Sequence, residues 1–83
     1  MLFVLVLEIE VTDRAARVFS SEPDARPFYE VAAKVCMDGP DDDTGPYVIS
    51  NSWLWSVNTT DEDVARNMAL SGSGQLIEVV FDS

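Results

Sequence analysis

Eighty-three residues make one domain, residues 1–83, small enough that folding buries only about 60–65 % of the unfolded chain's surface. The apolar content of 47 % supplies a core despite a net charge of −10, which excludes a disordered chain and leaves little room for a deep substrate cleft. Fifteen acids against five bases also exclude direct nucleic-acid binding, which needs Lys and Arg to neutralise phosphate.

Residues 2–11 read as a strand. Phe3, Leu5, Leu7, Ile9 and Val11 alternate onto one face, with Leu2, Val4, Val6, Glu8 and Glu10 on the other. The first half is apolar on both faces, as in a central strand that emerges towards solvent. The apolar start is too short to span a membrane and lacks the basic flank of a signal peptide. Residues 13–25 read either as a short helix over 14–19, capped by Asp13 and ended by Pro23, or as an irregular crossover. Residues 27–37 fit two templates. As a helix they align Phe28, Val31, Ala32, Val35 and Cys36. As a strand they align Tyr29, Val31, Ala33, Val35 and Met37, the version favoured because Asp38-Gly39-Pro40 and Thr44-Gly45-Pro46 look like the two ends of a hairpin loop.

Residues 47–57 form the next expected strand, with Tyr47, Ile49, Trp53, Trp55 and Val57 on one face. The opposite face, Val48, Ser50, Ser52, Leu54 and Ser56, is mostly polar and expected to be wet. Thr60 is expected to cap a helix whose first turn carries Asp61, Glu62 and Asp63 against the helix dipole. Its inward stripe is Val64, Ala65, Met68 and Ala69, and Ser71-Gly72-Ser73-Gly74 ends it. Residues 75–81 close the chain as a strand with Ile77, Val79 and Phe81 on one face. The expected fold class is α+β: a small antiparallel sheet with one or two helices packed on one face, the ferredoxin-like split βαβ order being favoured.

Catalytic signatures are scarce. The chain has no histidine, which removes the commonest general base and metal ligand, and it carries neither a nucleophile elbow nor a phosphate loop. No enzyme activity and no cofactor are expected. Cys36, the only cysteine, has no histidine partner and reads as a buried inert thiol; the absence of a disulfide framework points to a reducing cytoplasm. Asp38, Asp41, Asp42 and Asp43 do not match the spacing of a calcium loop, so a solvated loop tip is the expected reading.

Residues 38–63 hold seven acids (Asp38, Asp41, Asp42, Asp43, Asp61, Glu62, Asp63), no base and both tryptophans. Trp53 and Trp55 read first as core, yet a tryptophan left partly exposed beside an acidic segment makes an interface anchor. The expected function is therefore a non-enzymatic protein-binding module whose contact surface comprises those seven acids with Trp53 and Trp55. Its expected partner is a basic protein surface, with no nucleic acid or membrane bound directly, and self-association is left open. The sharpest form is an acidic decoy inhibitor, of the phage anti-CRISPR or anti-restriction type, occupying a nucleic-acid-binding groove; it rests on size and charge alone. The alternative is a salt-adapted structural or self-assembling domain, since one lysine stands against nine aspartates.

Overall fold

The computed structural model describes residues 1–9, 13–38 and 49–81. Its elements are β1 (Leu2–Ile9), β2 (Asp13–Phe19), α1 (Glu22–Asp38), β3 (Ile49–Val57), α2 (Glu62–Leu70) and β4 (Gln75–Phe81). The strands form one sheet in the order β2-β1-β3-β4, every neighbouring pair antiparallel. The α+β class holds. The expected continuation of the first strand to Val11, the loop at 39–46, Asp41, Asp42 and Asp43, and Tyr47 lie outside the described residues.

β1 occupies the centre that its pattern predicts, with Val4, Leu5 and Val6 buried. Its two apolar faces need two covers, and each receives a helix. α1 packs with Leu5, Phe19 and Leu54 on one face, while α2 packs with Val4, Val6 and Val57 on the other. This corrects the expectation of helices on one face, and the ferredoxin-like refinement is not confirmed.

Residues 13–19 are strand, where a short helix or a crossover was expected. Ala15, Ala16 and Arg17 have little intrinsic strand preference, so pairing decides: β1 offers an open edge, and the register sets Phe3 opposite Phe19 and Glu8 opposite Arg14. Residues 27–37 are helical, where the strand was favoured. Ser21 accepts the Asp24 N–H at 3.3 Å and its carbonyl accepts the Ala25 N–H at 3.2 Å, which starts the helix. Pro23 then falls in the first turn, where its missing N–H is harmless, so it opens α1 where it was expected to end a helix. The buried stripe includes Ala25, Tyr29, Ala32, Ala33 and Cys36, rotated so that Phe28 and Val31 stand exposed.

The serine face of β3 is the largest departure. Ser50, Ser52, Leu54 and Ser56 are all buried beneath α1, not wet. The small side chains on both elements suit this burial: Ala25 and Ala33 of α1 pack with Leu54 of the strand, and Cys36 of α1 reaches Ser50. The Cys36 thiol donates to the Ser50 carbonyl at 3.2 Å, so that cysteine is buried as expected.

α2 begins one residue later than expected, capped by Asp61, whose carboxylate accepts the N–H groups of Asp63 and Val64 at 2.9 and 3.1 Å. Ala65 and Ala69 are buried, whereas Val64 is exposed. The helix ends in a Schellman turn: Gly72, with φ +76°, donates to the Ala69 carbonyl, and Ser73 donates to Met68. In β4 the register skips from Leu76 opposite Trp55 to Glu78 opposite Leu54, so Ile77 is a bulge. Ile77 and Val80 consequently join the α1 side while Val79 opposes Trp53, which separates the expected Ile77–Val79 pair.

Candidate functional site

Trp53 and Trp55 project from β3 on the α2 face, each opposite a valine of β1: Trp53 by Val6, Trp55 by Val4. On their other side stand Val79 and Leu76 of β4. α2 packs across β2, β1 and β3 but makes no contact with β4 among the described residues. The β4 side of this face is therefore left uncovered. Both tryptophans are only partly buried, and Leu76 retains 42 % of its accessible surface.

One edge of the patch is held by polar groups from three strands. Glu8 lies in register with Arg14 on one side and Asn51 on the other. Asn51 donates to Glu8 at 2.9 Å, and the Arg14 guanidinium approaches the same carboxylate at 3.6 Å. Arg14 also donates to the Leu70 carbonyl at the end of α2, at 3.5 Å, and its Cζ stands 5.4 Å from the Trp53 ring centre. One residue thus ties β2, α2 and Trp53 together. Beside it lies a cleft of about 230 Å³ between Trp53, Trp55 and the turn at Ser71 and Gly72. Gly74 has no room for a side chain, because a Cβ there would stand 2.8 Å from the Ser56 carbonyl.

The acidic residues divide along β3. Asp61, Glu62 and Asp63 are exposed just beyond its Val57 end, where Asp63 pairs with Arg66 at 3.2 Å. Asp38 closes α1 near the Ile49 end, since Cys36 contacts Ser50 there. Nine residues of strand separate these ends, roughly 27 Å at about 3.4 Å per residue. Asp38 and the triplet at 61–63 therefore do not make one cluster, because the tryptophans sit between them; Asp41, Asp42 and Asp43 are outside the described residues. Among the described residues no group of three acidic or cysteine side chains converges on a metal-sized space.

Comparison with known proteins supplies no family: no protein-family model, no curated protein and no solved structure matches the chain. No described helix is long and apolar enough to cross a membrane.

Two features escaped the sequence reading. Leu76 and Val79 belong to the tryptophan patch because the bulge at Ile77 resets the alternation of β4, and a bulge leaves no local mark in such an apolar run. The second is a groove on the α1 face. α1 lies mainly over β3, and beside it a groove of about 440 Å³ opens above β1 and β2. Leu5, Leu7 and Ala15 form its floor, and Phe28, Val31 and Val35 its helical wall. Phe28 and Val31 keep 46 % and 57 % of their surface exposed. Their place just outside the buried helical stripe is the signal that could have found it.

Proposed function

We propose that the protein is a non-enzymatic module that binds a protein partner through Trp53 and Trp55, with Leu76 and Val79 completing the contact. One observation carries this reading: two neighbouring tryptophans stay partly exposed beside an exposed leucine, at the β4 side of the face that α2 does not reach. Partly exposed tryptophan is costly to keep in water and is concentrated at interface hot spots. Arg14 and the Glu8–Asn51 pair orient Trp53 beforehand, which lowers the ordering entropy that binding must overcome. The partner's surface is basic around an apolar pocket, because a chain of net charge −10 attracts cationic surfaces from a distance. The decoy-inhibitor form narrows this partner to a nucleic-acid-binding groove and draws its support from charge alone.

The test is affinity capture from the native host, followed by binding kinetics with the partner so recovered. Trp55→Ala should raise the dissociation rate at least tenfold, as expected for a hot-spot side chain, with the circular dichroism spectrum unchanged. Replacing Asp61, Glu62 and Asp63 by Asn, Gln and Asn should lower the association rate and its salt dependence instead. Unchanged rates in both variants would exclude this surface. The salt-adapted alternative is supported by one lysine against nine aspartates, and it is distinguished by unfolding below molar salt.

A further inference from the structure

The groove beside α1 has the size of a small-molecule site, within the range of about 300–1,000 Å³ typical of ligand pockets. Its floor and helical wall are aliphatic or aromatic, and one cation, Arg17, reaches it from β2. Arg14, Arg26 and Arg66 each pair with a carboxylate, whereas Arg17 has no ion-pair or hydrogen-bond partner among the described residues. Its guanidinium lies 4.5 Å from the ring centre of Phe28 and 5.2 Å from that of Phe19. Contact with the rings engages the guanidinium face and leaves the edge N–H groups as unused donors, in the planar fork that matches a carboxylate.

We propose that this groove binds a small amphipathic carboxylate. The alkyl or aryl tail lies over Leu5, Leu7 and Ala15 against Phe28 and Val31, and the carboxylate meets the Arg17 fork. The two halves of the ligand answer two separate deficits: apolar walls exposed to water, and a cation lacking an anion in a chain with three acids for every base. The overall negative charge does not forbid an anion here, because exposed charges beyond about 8 Å are largely screened at physiological ionic strength. This site is on the face opposite the tryptophans, so it stands or falls independently of the proposed partner surface.

The experiment is titration of the isotopically labelled protein with octanoate and with 1-octanol, followed by amide shifts and by calorimetry. Octanoate should shift amides of β1, β2 and α1 around Leu5, Ala15, Arg17 and Val31, and should bind more tightly than the alcohol. Arg17→Gln should weaken octanoate about tenfold or more, the range expected for a charged hydrogen bond, and leave the alcohol unchanged. Ala15→Phe should fill the groove and weaken both probes. Arg17 is exposed, so its variant is expected to fold, and its melting curve checks this. No shift up to the solubility of the probes, shifts confined to the Trp53–Trp55 patch, or an octanoate-to-octanol ratio unaltered by Arg17→Gln would each overturn the proposal.

Discussion

The two faces of the sheet are made by the same four strands yet are sealed very differently. On one, a 17-residue helix buries Ala25, Ala32 and Ala33, and Ser52 and Leu54 keep no accessible surface. On the other, a nine-residue helix buries Ala65 and Ala69, and the largest side chains of the protein, Trp53 and Trp55, stay partly open. Along β3 the serine face is thus the drier of the two. Burial here follows the reach of the covering helix more than the polarity of the strand beneath it, and each face keeps apolar surface where its helix stops short: beside the tryptophans on one, above β1 and β2 on the other.

The strongest way to break this comparison is to truncate one leucine on each face. Leu54 is fully buried under α1, so Leu54→Ala should cost about 2–5 kcal/mol, enough to threaten a domain of this size. Leu76→Ala, at the open edge of the tryptophan patch, should cost less than about 1 kcal/mol, since much of that side chain is already in water. Urea denaturation of both variants decides it. Equal losses would mean that the tryptophan half of the sheet is core after all.

Much of this arrangement was legible in the sequence. β1, β3, α2 and β4 were all expected near their observed bounds, because each has a strong periodicity or a capping signal. Residues 13–37 depart from expectation for two reasons, one distant in sequence and one local. Nothing in Asp13 to Phe19 asks for a strand until β1 presents its edge. The Ser20-Ser21-Glu22-Pro23-Asp24 run is a good helix start, but in the sequence alone Pro23 fits a helix stop as well. The site was half legible: Trp53 and Trp55 were found by residue type, whereas Leu76, Val79 and the Arg17 groove required the register and the rotation of α1 about its axis.

The comparison is sharpened by asking how firmly the short helix is held. At nine residues α2 is too short to be stable alone, so its cap matters. Asp61→Ala leaves the N–H groups of Asp63 and Val64 without their acceptor and should cost about 1 kcal/mol. Asp61→Asn keeps an acceptor of comparable capping strength and should cost a fraction of that. Thermal melts of the pair separate capping from charge; an equal loss in both would assign the effect to the helix dipole.

A smaller effect probes the serine face. The Ser52 hydroxyl is buried without a hydrogen-bond partner, between Leu7 and Val80 in the register. A buried unpaired hydroxyl is a net loss, so Ser52→Ala should be neutral or stabilising by up to about 1 kcal/mol. A clear destabilisation, measured by the urea midpoint, would show that this face is wetter than its packing implies.

The smallest effect is a pH dependence belonging to the α1 face alone. Tyr29 is buried on the inner side of α1, and burial, followed by the nearby Glu78 carboxylate, raises its phenol above the ordinary value of about 10. The sign follows from which form is disfavoured. Folding resists the phenolate, so the stability associated with Tyr29 is complete below the unfolded value near 10 and is lost as pH rises through the higher folded value. Tyr29→Phe has no proton to lose and should show a shallower decline in urea midpoint between about pH 9 and pH 11. Arg26 keeps its positive charge across this interval, because its hydrogen bonds to Glu78 and then Glu22 raise its own already high value. It opposes the Tyr29 shift without changing its direction. The tryptophans carry no titrating proton, so no corresponding alkaline term should arise from Trp53→Phe or Trp55→Phe. Parallel alkaline declines in wild type and Tyr29→Phe would show that the phenol reaches water, and that α1 seals its face less completely than its alanines suggest.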